Sequence, residues 1–154
     1  MDHIIQNKKV IAVLPAYNAA RTLERTLQDI PKEWVSDVLL VDDASSDNTV
    51  EVARSLGVKT IRHEKNLGYG GNQKTCYSNA LLMGADIAVM VHPDHQYDPK
   101  AIPQLIEPIL EGRADAVFGS RMMVKGRALA GSMPYWKFLA NIFLTKLENL
   151  VLGL

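Results

Sequence analysis

The chain has 154 residues, enough for one domain with its own core, and its 17 basic and 17 acidic residues cancel. A chain without net charge has no global field to draw it onto nucleic acid, so any anion site must be built locally and a polynucleotide partner is not expected. One cysteine, Cys76, excludes an internal disulfide, and Met1-Asp2-His3-Ile4-Ile5-Gln6-Asn7 shows no charged leader ahead of an apolar run, so a soluble, cytoplasmic chain is expected.

Val10-Ile11-Ala12-Val13-Leu14 is apolar throughout, as a strand covered on both faces must be, and it ends in Pro15-Ala16-Tyr17-Asn18, a turn offering a flat ring and an amide. Leu23, Leu27 and Ile30 then recur at helical spacing. The second apolar run, Val38-Leu39-Leu40-Val41, ends in Asp42-Asp43-Ala44-Ser45-Ser46-Asp47. Neighbouring strand residues point to opposite faces, so at least one of the two adjacent carboxylates needs a polar partner, such as a base or a ribose. Asp47-Asn48-Thr49 with Glu51 reads as a helix start with a capping box, and Gly57 stands where that helix should stop.

The third run, Val58-Lys59-Thr60-Ile61, leads into His63-Glu64-Lys65-Asn66-Leu67-Gly68-Tyr69-Gly70-Gly71-Asn72 and a helix from about Gly71 to Met83. Gly68-x-Gly70 is not a dinucleotide fingerprint: Gln73 stands where the third glycine belongs, and the motif does not follow the first strand. Glycines at a helix start still let a ligand approach the backbone. Cys76 falls inside this helix with no nucleophilic partner near it in the sequence, which reads as packing.

The fourth run, Ile87 to Val91, breaks into His92-Pro93-Asp94-His95-Gln96-Tyr97-Asp98-Pro99. A carboxylate, an amide and two imidazoles at a strand end suit a metal ion, a phosphate, or the loop's own backbone, and the local pattern leaves the three open. A further helix over Ile102, Leu105, Ile106, Ile109 and Leu110 precedes a fifth apolar run, Ala116-Val117-Phe118, that ends in Gly119-Ser120-Arg121, where the arginine suits phosphate. The last segment, Pro134 to Leu154, sets Leu139, Phe143, Leu147, Leu150 and Leu154 on one helical stripe. Lys137, Lys146 and Glu148 count against a membrane span of about 20 mainly apolar residues. Strand and helix thus alternate, which predicts an α/β, doubly wound, mainly parallel sheet flanked by helices, with ligands bound beyond the carboxyl ends of the strands.

The strand-end motifs, taken in order from about Lys9 to Arg121, resemble family 2 glycosyltransferases with the GT-A fold, nearest to the dolichyl-phosphate mannose synthase type that charges polyprenyl phosphates with sugar. The resemblance implies a nucleotide-diphosphate sugar as donor, held by Pro15, Ala16, Tyr17, Asn18, Asp42, Asp43, Gly68, Gly71 and Arg121. It implies a divalent metal, Mg2+ or Mn2+, on the diphosphate. The family pattern after the fourth strand is Asp-x-Asp-x-Gln; here Asp94 and Gln96 keep two of those positions while His92 replaces the first carboxylate, so His92, Asp94 and Gln96 are the expected metal ligands. An inverting displacement onto an acceptor follows from the resemblance, with a polyprenyl phosphate at a membrane surface as one acceptor class and no catalytic base identified.

The resemblance further implies that acceptor-site protein follows Leu154, so residues 1–154 are expected to be a single nucleotide-sugar-binding domain without that part. The amphipathic last segment by its pattern reads first as a core-packing helix, whereas the protein that the resemblance expects beyond it would leave the apolar face for a membrane or a second copy of the chain. The replacement at His92 keeps a non-catalytic nucleotide-binding or assembly module as the alternative. A nucleotidyltransferase would need a glycine-rich, lysine-bearing loop after the first strand, which is not there.

Overall fold

The computed structural model describes residues 8–119 and 134–153. They fall in two compact units divided after Val117. In the first unit, four strands form one parallel sheet in the order β3-β2-β1-β4: β1 is Val10–Ala16, β2 Asp37–Asp42, β3 Lys59–Arg62 and β4 Ile87–Met90. Helices α1 (Leu23–Gln28), α2 (Thr49–Ser55), α3 (Gly68–Leu82) and α4 (Ile102–Leu110) alternate with them, the last entered through a 3-10 turn at Pro99–Ala101.

Every residue of β1 is buried, because it is the central strand and is covered on both faces. Val10, Ala12 and Leu14 pack with Leu23, Ala53, Ile102 and Ile106 of the helices and with Ile30 after α1 on one face, while Ile11 and Val13 pack with Leu39, Val41, Cys76 and Ala80 on the other. The alternation of a two-residue period divides one continuous apolar run between two cores. Cys76 is fully buried, and burial pushes its thiol up to about 12, so it remains a protonated packing residue.

Proline is rare in a central strand, and Pro15 shows why it is tolerated here. Ala16 turns its carbonyl to β2, accepting the Asp43 N–H at 2.8 Å, whereas Val13 accepts Val91 N–H from the β4 side at 3.0 Å. Pro15 shares the side of Val13, where pairing with β4 has ended at Met90, so its missing N–H breaks no rung.

Three expectations are corrected. Residues 116–118 form no strand among the described residues; three residues are shorter than most strands, and Phe118 is 87% exposed. No capping box closes α2: Asn48 is the N-cap residue but makes no side-chain cap, and Asp47 accepts the Thr49 N–H at 3.0 Å instead. Helix α3 begins at Gly68, three residues before the expected start, so Gly68 and Gly71 lie in its first turn and not in a preceding loop.

In the second unit, α5 (Tyr135–Leu152) ends on Gly153, whose φ of 69° supplies the left-handed turn that closes many helices. Leu139, Phe143, Leu147 and Leu150 are all exposed. No helix among the described residues is long and apolar enough to cross a membrane.

Candidate functional site at the carboxyl edge of the sheet

All four strands end on the same edge, and the strand order reverses between β1 and β4, so the crevice of such a sheet lies beyond the ends of these two strands. The loops carrying Tyr17-Asn18, Asp42-Asp43, Asn66-Leu67 and His92-Pro93-Asp94 all leave from that edge. Among the described residues, the three non-glycine residues with positive φ are Asn18 (52°), Ala44 (59°) and His95 (56°), one each after β1, β2 and β4. Such backbone costs about 1–3 kcal/mol per residue and persists where surrounding bonds over-determine it. Here those bonds are visible.

The loop after β1 is stitched to the loop after β2. The Asn18, Ala19 and Ala20 N–H groups donate to Ser45 Oγ (2.8 Å), Thr49 Oγ1 (2.8 Å) and Asp47 Oδ2 (3.1 Å), and Asn18 Oδ1 accepts the Ser46 N–H at 2.9 Å. Burial pushes the Asp47 carboxyl up, but the bonds from Thr49 and Ala20 outweigh it and hold the group below its ordinary range. Tyr17 follows β1 beside this scaffold and is 57% exposed, while Pro15 and Ala16 are buried strand residues.

Asp42 and Asp43 part company. Asp42, fully buried, accepts the Ser45 N–H on Oδ2 at 3.0 Å and faces Arg62 Nε at 3.6 Å, while its Oδ1 is buried with no hydrogen-bond partner. Asp43 is 3% exposed, and its Oδ1 accepts from the Leu67 N–H and from His63 Nδ1, both at 2.8 Å. Burial alone would raise the Asp43 carboxyl, yet the Leu67 N–H and the His63 bond prevail and lower it. His63 Nε2 lies 2.9 Å from Thr75 Oγ1 on α3, so Asp43 organises the glycine turn through two routes. The residues that complete this arrangement, His63, Thr75 and Asn72, carried no motif of their own. Asn72 is buried on α3 and donates to the Val41 carbonyl at 3.0 Å.

Gly68 has φ 75°, a conformation that a residue with a Cβ rarely adopts. At Gly71 a Cβ would come within 2.7 Å of Leu67 Cβ, whereas at Gly70 it meets nothing within 4 Å. Gly71→Ala must therefore push Leu67 away from Asp43, and is expected to cost about 1–3 kcal/mol. Gly70→Ala is expected to stabilise by about 0.4–1 kcal/mol through the unfolded chain. Thermal unfolding of the two variants checks this, and shifts of the same sign would contradict it.

After β4, Asp94 is exposed and its Oδ1 accepts the Gln96 N–H at 3.0 Å. His92 stacks on Tyr69 with ring centroids 5.5 Å apart, and its Nε2 lies 3.1 Å from the Tyr69 hydroxyl, so that nitrogen is engaged with α3. Burial, followed by the nearby Tyr77, raises the Tyr69 hydroxyl above its ordinary value and keeps it protonated. No group of three or more His, Cys, Asp or Glu among the described residues could hold a metal ion. One exposed carboxylate beside an amide fits magnesium or manganese only as a cation that brings phosphate oxygens and waters with it, which is how such ions are commonly held. Arg121 lies outside the described residues.

Residues 11–152 match glycosyl transferase family 2. The chain belongs to that family. A relative, an uncharacterized protein of Methanocaldococcus jannaschii, is 34% identical over 149 residues, covering 97% of this chain and 60% of its own. Another is UDP-N-acetylglucosamine–dolichyl-phosphate N-acetylglucosaminyltransferase of Methanococcus voltae, 29% identical over 96% of this chain and 64% of its own. The chain thus spans rather less than two thirds of the length of these relatives. Among solved structures, glucosyl-3-phosphoglycerate synthase from Mycobacterium tuberculosis, in complex with Mn2+, uridine diphosphate and glucosyl-3-phosphoglycerate, superposes with a TM-score of 0.59. It is 21% identical, and the match covers 71% of this chain and 42% of that one. The likeness places this family 2 chain in the GT-A fold.

Proposed function

We propose that the chain is the nucleotide-sugar-binding part of a glycosyltransferase that moves a sugar from a nucleoside-diphosphate sugar to a polyprenyl phosphate. The observation that carries this reading is the convergence of four strand-end loops on one edge, three of them holding a non-glycine residue at positive φ. Membership of the family supports it, as does the dolichyl-phosphate acceptor in the name of the Methanococcus relative.

In this reading Tyr17 offers its exposed ring to the base, and Asn18 with the Asp42-Asp43 segment borders the ribose. Gly68 and Gly71 let the α3 start approach the diphosphate, toward which Arg121 contributes positive charge. Asp94 and Gln96 would hold the cation on the diphosphate. When bound, magnesium or manganese neutralises charge on the departing diphosphate. An acceptor phosphate oxygen forms the new bond to the anomeric carbon as the bond to the diphosphate oxygen breaks, with inversion. An ionised phosphate acceptor needs no base to remove a proton. The exposed leucines and Phe143 of α5 suit the lipid surface in which a polyprenyl phosphate resides, or a second copy of the chain.

The test is transfer of labelled sugar from uridine- and guanosine-diphosphate sugars to a polyprenyl phosphate in vesicles, beside titration calorimetry of the two diphosphates with and without Mn2+. Saturable diphosphate binding strengthened by metal, with formation of a lipid-linked sugar, is the expected result. Binding without transfer to any acceptor would move the chain to the non-catalytic reading.

A further inference from the structure

The loop that carries Asp94 is fastened on both sides of that residue by α1 and its C-cap residue Asp29, which contribute nothing to the motifs. Before Asp94, Thr26 Oγ1, fully buried, lies 3.3 Å from the Pro93 carbonyl and 3.0 Å from the Thr22 carbonyl of its own helix, its one proton shared between them. After Asp94, Asp29 Oδ2 sits 2.8 Å from His95 Nε2 and Asp29 Oδ1 sits 3.0 Å from Lys100 Nζ. We propose that Asp29, assisted by Thr26, is a positioning residue that presents the Asp94 carboxylate to the cation on the bound diphosphate. This inference rests on the reading of Asp94 as cation ligand given above.

Residues 91–98 belong to no helix or strand, and Asp94 is exposed in the middle of them. An untethered loop has to be ordered when its ligand arrives, and that ordering subtracts from affinity. His95 at φ 56° adds a local cost, since a side chain with a Cβ rarely adopts that conformation. The Asp29 carboxylate offsets it by engaging the imidazole on one oxygen and the Lys100 ammonium on the other. His95 and then Lys100 hold the Asp29 carboxyl below its ordinary range, so it stays a charged acceptor near neutral pH. With Pro93 and His95 both anchored, the backbone on either side of Asp94 is fixed before any ligand binds. Outer partners of this kind typically change metal affinity ten- to a hundredfold when removed, without touching the metal.

Asp29→Ala and the gentler Asp29→Asn, each in the full chain, test the inference. Two quantities are read: the affinity for uridine and guanosine diphosphate with and without Mn2+, and hydrogen exchange of the 94–98 amides without ligand. Metal-free affinity is expected to stay within about twofold of the parent, while the enhancement by Mn2+ falls about tenfold or more in Asp29→Ala and less in Asp29→Asn. The Gln96 amide, which donates to Asp94 Oδ1, is expected to exchange faster in Asp29→Ala. A parent-like Mn2+ enhancement in both variants overturns the inference and leaves the cation reading standing. An equal fall with and without metal also overturns it, since that marks a general loss of structure. No Mn2+ enhancement in the parent defeats the cation reading, and the inference with it.

Discussion

Asp43→Ala is expected to lower stability by about 2–4 kcal/mol at neutral pH, because the Leu67 N–H and His63 Nδ1 both lose the buried carboxylate oxygen they share. Nucleoside diphosphate affinity should fall with it, by about ten- to a hundredfold, as the glycine turn loses its anchor to the end of β2. The pH dependence carries a definite sign. The folded-state carboxyl lies below its ordinary 3.8, so its contribution is present above that value and disappears as pH falls through the lowered folded one. Urea unfolding of parent and variant should therefore show a gap at pH 7 that narrows below pH 4. Asp47, lowered likewise, loses its contribution in the same window in both proteins and largely drops out of the difference. Coincident unfolding curves at pH 7 would remove Asp43 from its role as organiser of the turn.

Asp94→Asn should behave in the opposite manner, sparing the fold and abolishing the metal effect. The side chain is exposed, and the bond it accepts from the Gln96 N–H is one that an asparagine oxygen also accepts, so thermal unfolding should move by less than about 0.5 kcal/mol. An amide carries no negative charge to hold a cation against the diphosphate. The enhancement of diphosphate binding by Mn2+, expected at about ten- to a hundredfold in the parent, should vanish while the metal-free affinity is kept. Titration calorimetry on both proteins with and without Mn2+ decides the matter, and an undiminished enhancement in Asp94→Asn would place the cation elsewhere. Together the two variants separate a residue that shapes the site from one that meets the ligand.

Much of the fold follows from local pattern. An unbroken apolar run such as Val10 to Leu14 is stable only when covered on both faces, and helical spacing between such runs leaves a doubly wound parallel sheet as the packing that supplies those covers. The positions of Tyr17, Asp42, Asp43 and Asp94 at strand ends follow from the same pattern, because a polar residue that ends an apolar run must lie where the sheet ends. What each of them touches does not follow. The bonds that hold the site join residues far apart in sequence: Asp43 to His63 and Leu67, Asn72 to the Val41 carbonyl, Thr26 to the Pro93 carbonyl, Asp29 to His95. Each depends on how two elements lie against each other, and no periodicity in either one encodes it. The same reason accounts for the corrections. Residues 116–118 have strand composition but form no strand among the described residues, and Asn48 has a capping composition but makes no side-chain cap. Composition allows such contacts, and only the tertiary arrangement, by deciding which donors meet which acceptors away from water, selects among them.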